Sequence, residues 1–227
     1  RLMPGRTALG FSGGLDAAVL LKKCADIGDL YPVTIESYGG RKETDSQELL
    51  LGQESIPQFL FRISGKQAYK YIQEDLTRLP EPFGHPIAIK YAALADFLES
   101  ICCGALITGD GADELWNFNG PYIDHELQQI RPFFPGHGVA PVQVPFKAAN
   151  DKQYIHYINT YAYANSGNTM CLLSMCLRRS VKLYMPFFHP ICMVNASEYA
   201  VEKPEFTKKR YLKEYALNIL PEKIVLQ

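Results

Sequence analysis

The 227-residue chain has no apolar stretch near the roughly 18–20 residues a helix needs to cross a bilayer. Its opening, Arg1-Leu2-Met3-Pro4-Gly5-Arg6, holds no apolar core of signal-peptide length. Net charge is nearly absent: 23 Lys plus Arg against 24 Asp plus Glu leave −1. That balance excludes a general electrostatic grip on nucleic acid or anionic membrane. There is no C-x-x-C pair among the six cysteines, and no internal repeat, heptad run or low-complexity segment. With 47% hydrophobic and 21% charged residues, disorder is excluded too. What remains is an ordinary globular protein, expected in the cytoplasm, with neither membrane nor nucleic acid as a partner. Its length suits one large domain or two small ones. Lacking an initiating Met, residue 1 reads as a processing, cloning or domain boundary.

The cysteines at 24, 102, 103, 171, 176 and 192 are expected to be reduced core thiols, with zinc binding or sulfur chemistry as the alternatives. Cys102-Cys103 lie in an apolar run that reads as a buried strand. The first half of the chain alternates strand and helix: strand Thr7–Phe11, helix Asp16–Ile27, strand Tyr31–Glu36, helix Asp45–Gly52, strand Gln58–Ile63. Ser64 with Gln67 three positions on has the spacing of a capping box, opening a helix that runs to about Leu79. Turn residues Pro80–Pro86, a helix Ile87–Ser100 and a strand Ala105–Thr108 follow. Such alternation predicts an α/β fold with a parallel sheet covered by helices on both faces. After Asp113 the strand signals fade. A Pro/Gly-rich stretch, Arg131–Pro145, precedes helical patterns at Lys152–Ala164, Asn168–Arg179, Ile191–Val201 and Glu205–Ile219. The expected organisation is an α/β part over residues 1–120 and a mainly helical part over 121–227, with ligands at the carboxyl ends of the strands.

Two glycine-rich segments carry chemistry. Phe11-Ser12-Gly13-Gly14-Leu15-Asp16 lies between a strand and a helix. Adjacent glycines turn the backbone sharply and bring N–H groups close to a ligand, and the helix start adds its positive end. That suits a polyanion such as pyrophosphate. The segment fits neither G-x-x-x-x-G-K-[ST] nor G-x-G-x-x-G; its plainer reading is a strand-to-helix turn. Asp16 beside such a cradle calls for a metal between carboxylate and phosphate, and oxygen ligands suit Mg²⁺. The second segment, Ile107-Thr108-Gly109-Asp110-Gly111-Ala112-Asp113-Glu114-Leu115, ends a strand with three carboxylates in five residues. Clustered carboxylates repel unless cations compensate. Its plainer reading is an acidic loop capping a helix that begins at Asp113. Parallel strands would bring both segments to one sheet edge, where Asp16 and Asp113 could share one Mg²⁺.

S-G-G-L-D resembles the PP-loop of the N-type ATP pyrophosphatases. G-D-G-A-D-E-L narrows the resemblance to the synthetase domain of asparagine synthetase and its relatives, the β-lactam synthetases and lasso-peptide cyclases. Met185-Pro186-Phe187-Phe188 is similar to that family's V-P-F-L segment. Lys209-Arg210-Tyr211-Leu212-Lys213 with Leu220-Pro221 is similar to its K-x-x-L-R…L-P tail. The resemblance implies an adenine nucleotide α-hydrolase-like fold and activation of a small-molecule or peptide carboxylate by ATP. An acyl-adenylate and pyrophosphate form, and ammonia or an amine then displaces AMP. It implies that Ser12, Gly13, Gly14 and Leu15 cradle pyrophosphate, and that Asp16 and Asp113 bind Mg²⁺. Leu9, Ile35, Thr108 and Gly109 would border adenine and ribose, mostly through backbone groups. Asp110 would take a proton from the incoming amine. Lys209, or Lys208 if the register slips by one, would stabilise charge on phosphorus and on the tetrahedral intermediate; a solvated basic face is the alternative.

There are departures. Ala17 stands where the family has Ser or Thr, removing a hydroxyl donor. Trp116-Asn117-Phe118-Asn119-Gly120-Pro121-Tyr122 replaces the usual segment after D-E-L. Lys182, Tyr184 and His189 stand at the family's Glu, Arg and Asp positions, so aspartate is not the expected substrate. The chain begins almost at the first loop, without the glutaminase domain of asparagine synthetase. Ammonia is therefore expected from solution or from a separate amidotransferase or other partner chain, unless the nucleophile is an amine on a second substrate or residue 1 is a cut within a longer protein. Two other readings stay open: a PP-loop sulfurtransferase using a persulfide on Cys171, Cys176 or Cys192, and a non-catalytic ATP-binding partner subunit.

Overall fold

The computed structural model describes residues 5–26, 29–36, 52, 57–79, 86–116, 167–202 and 209–226. In chain order these form β1 (Arg6–Gly10), α1 (Leu15–Cys24), β2 (Leu30–Glu36), β3 (Phe59–Arg62), α2 (Gly65–Glu74), α3 (Ile87–Ser100), β4 (Cys103–Ile107) and α4 (Ala112–Trp116). Then come α5 (Gly167–Arg178), β5 (Lys182–Tyr184), α6 (Pro190–Glu202), α7 (Arg210–Ala216) and α8 (Glu222–Val225), with 3₁₀ turns at Leu76–Arg78 and Pro186–Phe188. The helix expected at Asp45–Gly52, apart from its last residue, and the one at Lys152–Ala164 lie outside the described residues. So do Arg131–Pro145, most of the Pro80–Pro86 turn, and Lys208. The chain folds into two units: Arg1–Gly109 with Ser166–Met185 and Ala216–Gln227, and Asp110–Asn165 with Pro186–Tyr215. This division differs from the expected boundary after residue 120: it falls inside the second glycine-rich segment, and β5 and α8 return to the first unit.

The first unit is built on a five-stranded sheet in the order β3-β2-β1-β4-β5, every neighbouring pair parallel. Thr7, Ala8 and Leu9 of the central strand are all buried rather than alternating, as expected of a strand covered on both faces. α1, with Ala17–Leu21 buried, packs against β1. On the sheet, Leu94 and Leu98 of α3 and Leu172 and Cys176 of α5 meet Ala8, Val33 and Leu106. Truncating one of these leucines to alanine would cost about 2–5 kcal/mol. Ala88, Ala92 and Ala95 fall on one face of α3 at helical spacing; their small side chains cluster with Tyr71, Cys171 and Met175. At the end of α5, Arg179 Nη2 donates to both carboxylate oxygens of Asp75 at 2.9 Å.

Local signals explain most of these elements. The Ser64 hydroxyl accepts the Gln67 N–H at 3.3 Å and the Gln67 side-chain oxygen accepts the Ser64 N–H at 2.9 Å, the reciprocal box the spacing predicts. Two expectations are corrected. β5 lies past the point where strand signals fade: three residues, one exposed and two half-buried, are too short to show a period and pair only because Ala105–Ile107 offers an edge. Cys102 is exposed, not buried, because it turns the chain at φ +54° and β4 begins only at Cys103.

In the second unit, α4 begins at Ala112 and packs against α6. The Pro186–Phe188 turn leads into α6, with Met193, Ala196 and Ser197 buried. α7 begins at Arg210. No helix among the described residues is long and apolar enough to cross a membrane.

Candidate functional site

Phe11, which leads from β1 into the first loop, is fixed at both backbone groups by β2. Its N–H donates to the Val33 carbonyl at 2.9 Å, and its carbonyl accepts the Thr34 hydroxyl. Thr34 Oγ1 in turn accepts Gln58 Nε2 at 2.6 Å. The loop then turns at Gly13 with φ +93°, which glycine adopts without strain. The Gly14 N–H donates to Ser12 Oγ at 3.2 Å, so it is engaged inside the loop rather than offered bare as the sequence predicts. The first intrahelical bond runs from Ala18 N–H to the Gly14 carbonyl at 3.0 Å. Ahead of it, the N–H groups of Leu15, Asp16 and Ala17 have no intrahelical acceptor, the ordinary state of a helix start.

After a register shift between Arg6 and Thr7, β1 and β4 pair residue for residue, Leu9 opposite Ile107, so their loops leave the sheet side by side. A Cβ added at Gly109 would lie 3.1 Å from Asp16 Cβ and 3.5 Å from the Ala17 nitrogen. Gly109 is therefore the close-packing point between the second segment and the start of α1. Asp16 is half-buried, with Oδ1 sealed from solvent. Thr108 is 6% exposed; its N–H donates to the Tyr184 carbonyl at 3.0 Å, while Oγ1 has no hydrogen-bond partner among the described residues. Leu9 and Ile35 lie within β1 and β2, fully and half-buried respectively.

No family model matches the chain, and no curated protein matches it. Among solved structures, a U34-tRNA thiolase, NcsA, from Methanococcus maripaludis with its [4Fe-4S] cluster is similar at a TM-score of 0.36 and 15% identity, over 95% of this chain and 72% of that one. The functional reading rests on this chain's own residues.

The other candidate residues, Lys182 and Tyr184 apart, belong to the second unit. Asp110 is half-buried in a turn, and Gly111 follows at φ +95°. A Cβ on Gly111 would sit 2.8–2.9 Å from the Phe188 ring. Asp113 is exposed on α4, and its Oδ1 pairs with Lys209 Nζ at 2.9 Å. Lys209 takes φ +59°, its N–H donates to the Trp116 carbonyl at 3.0 Å, and Trp116 stacks on Tyr211 at 4.9 Å and 29°. Three segments distant in sequence thus meet at α4 and the turn before it: G-D-G-A-D-E-L itself, Phe188 of the M-P-F-F segment against Gly111, and Lys209–Tyr211 of the tail. Lys182 and Tyr184 are placed on β5, and exposed His189 follows the 3₁₀ turn.

Sequence reasoning gave no role to Thr34 and Gln58, and it named Phe188 and Tyr211 only as members of the Met185–Phe188 and Lys209–Lys213 segments, not as supports. Only Gly111 carried a signal, as a glycine between charged residues where a positive φ would be needed. Around Asp16 the structure offers oxygen donors, a helix start and a covered hydroxyl, a set that fits a magnesium-bound polyphosphate. Among the described residues no three His, Cys, Asp or Glu cluster as a metal-binding group.

Proposed function

We propose that the chain is an ATP-dependent, AMP-forming ligase. It joins a small-molecule or peptide carboxylate to AMP with release of pyrophosphate, then passes the acyl group to ammonia or an amine to form an amide. The observation that carries this reading is the packing of Gly109 on Asp16, which sets the two glycine-rich segments against each other at the carboxyl ends of β1 and β4. Carboxylate, helix start and close-approach glycine recur there in the combination that polyphosphate binding needs.

In this reading Ser12, Gly13, Gly14 and Leu15 hold pyrophosphate. Leu9, Ile35, Thr108 and Gly109 border the adenosine, with the Thr108 hydroxyl, which has no hydrogen-bond partner among the described residues, as a ready hydrogen bond to it. Asp16 and Asp113 are the Mg²⁺ ligands; the ion supplies positive charge to the triphosphate. Asp110 accepts the proton of the nucleophile. Lys209 places its charge near the reacting phosphorus. The test is exchange of labelled pyrophosphate into ATP, dependent on an added carboxylic acid. Asp16→Ala should abolish the exchange, and exchange surviving in that variant would overturn the assignment.

The second reading is sulfur transfer through a cysteine persulfide. That reading needs an accessible thiolate. Cys171 and Cys176 are buried on α5, and burial pushes their thiols up to about 11 and about 12. Cys192 is half-buried and also raised by burial. Alanine at each of the three should leave activity intact; loss at any one, with a persulfide detected there by mass spectrometry, would favour sulfur transfer. Tight ATP binding with no turnover on any acid would favour the partner-subunit reading instead.

A further inference from the structure

We propose that a cleft where α2, α3 and α5 end binds a small zwitterion, a free α-amino acid. The cleft lies wholly in the first unit and has a volume of about 240 Å³. That is the share of roughly eight waters in the liquid, more than one ion fills and less than the ~300–1,000 Å³ of drug-sized sites. α3 ends at Ser100 just before β4 begins at Cys103, and α5 ends at Arg178 just before β5 begins at Lys182. The cleft is therefore at the amino ends of the strands. The glycine-rich segments follow the carboxyl ends of β1 and β4, so this is a separate place.

Its floor is closed. Asp75 and Arg179 are nearly dry and bonded to each other through both carboxylate oxygens, a pair that fixes structure. The remaining charges do not pair off. Arg179 Nε is the single cationic group that Asp96 and Glu99 meet among the described residues, at 3.8 Å from each, and its guanidinium already serves Asp75. Asp96 and Glu99 lie three positions apart on one face of α3, with side chains 48% and 58% exposed. The Tyr71 hydroxyl donates to Asp96 Oδ2 at 3.0 Å and keeps that carboxylate in place. Arg78 is exposed and forms no ion pair among the described residues. Arg178 uses Nη1 alone, 3.2 Å from the Asp75 carbonyl and 3.6 Å from its carboxylate, which leaves Nε and Nη2 as spare donors. Lys70 and Glu74 close on each other at 3.7 Å.

Four cations and four carboxylates thus line the cleft with no net charge but an uneven spread. Negative charge is in excess on α3, and guanidinium donors are in excess at Arg78 and Arg178. A purely anionic ligand meets four carboxylates and a purely cationic one meets four cations. A molecule with one charge of each sign meets both excesses. The carboxylate of an α-amino acid matches the guanidinium fork, and its ammonium donates to Asp96 and Glu99. Apart from Tyr71 every lining residue is charged, so a large apolar side chain gains little by entering. Glycine and serine suit the cleft better than leucine.

The experiment titrates the full ¹⁵N-labelled chain with glycine or serine and follows its amide shifts. It is run in low chloride at slightly acidic pH, where glycinamide keeps its ammonium charge. Saturable shifts at Arg78, Glu99 and Arg178 are expected at millimolar ligand, with Ser12–Asp16 unmoved. Acetate and glycinamide, each carrying half the zwitterion, should bind at least about fivefold more weakly, the size of one lost charge contact. Arg78→Gln should weaken glycine and acetate by about that factor and leave glycinamide unchanged. Glu99→Gln should weaken glycine and glycinamide and leave acetate unchanged. Both residues are exposed, so the fold should persist, which an otherwise unchanged spectrum checks. No saturable shift with either amino acid, acetate as tight as glycine, glycine unaffected by both variants, or shifts confined to Ser12–Asp16 would each overturn the proposal. None of these outcomes touches the ligase reading, because the cleft shares no residue with it.

Discussion

Each unit of the chain holds an ion pair closed at 2.9 Å, and the two pairs differ in nearly everything else. In the first unit Asp75 and Arg179 are 7% and 10% exposed on their side chains, and Arg179 Nη2 contacts both carboxylate oxygens. Arg178 adds Nη1 at 3.6 Å from the same carboxylate and donates to the Asp75 carbonyl at 3.2 Å. In the second unit Asp113 is 65% exposed and Lys209 holds it with a single ammonium. Equal distances therefore say little about energy or role. A desolvated, multiply bonded pair is costly to open and fixes structure. A half-wet pair exchanges partners at small cost.

The largest test of this contrast breaks the buried pair. Arg179→Met leaves the Asp75 carboxylate in a nearly dry setting and should destabilise the chain by about 3–5 kcal/mol. The neighbouring Arg178 keeps the loss toward the lower figure. Urea denaturation with an unchanged m value is the measurement. If Asp75→Asn is added, the uncompensated charge disappears and part of the loss should return. A loss below about 1 kcal/mol for Arg179→Met would place this pair in the same class as the exposed one.

A second test asks whether the second unit also has a rigid point, separate from its exchangeable pair. Gly111 sits at φ +95°, and any Cβ there meets the Phe188 ring at 2.8 Å. Gly111→Ala combines backbone strain with overpacking and should cost about 2 kcal/mol in the same denaturation experiment. Pairing it with Phe188→Leu should recover the packing part and leave the strain. Full recovery would mean that the positive φ costs nothing here.

How far the sequence reveals these features depends on how local their causes are. Strands β1 to β4, helix α3 and the Ser64–Gln67 box are written in runs and spacings of a few residues, and the two glycine-rich segments announce themselves next to strand ends. The closeness of Gly109 to Asp16 follows once β1 and β4 are neighbours, which alternating strands and helices favour without specifying the order. β5 is illegible because its pairing comes from the edge of β4 and not from its own three residues. The Lys209–Asp113 pair is illegible for a related reason: the sequence offers a lysine and an aspartate each suited to a ligand, and only the fold-back of the tail onto α4 makes them each other's partner. The Phe188 wall against Gly111 likewise arises only when two distant segments meet.

The smallest expected effect is the one that most sharpens the comparison. Lys209→Gln removes the exposed pair but keeps the N–H bond to Trp116 and the Trp116–Tyr211 stack. An ion pair whose aspartate is mostly in water contributes about 0.2–1 kcal/mol, and salt screens part of that. The urea midpoint of Lys209→Gln should therefore stay close to that of the wild type, and the small difference should shrink further as salt is raised. Arg179→Met should keep most of its loss under the same salt, because nearly dry charges are screened little. A Lys209→Gln loss as large as that of Arg179→Met, and equally indifferent to salt, would show that the lysine holds the second unit together.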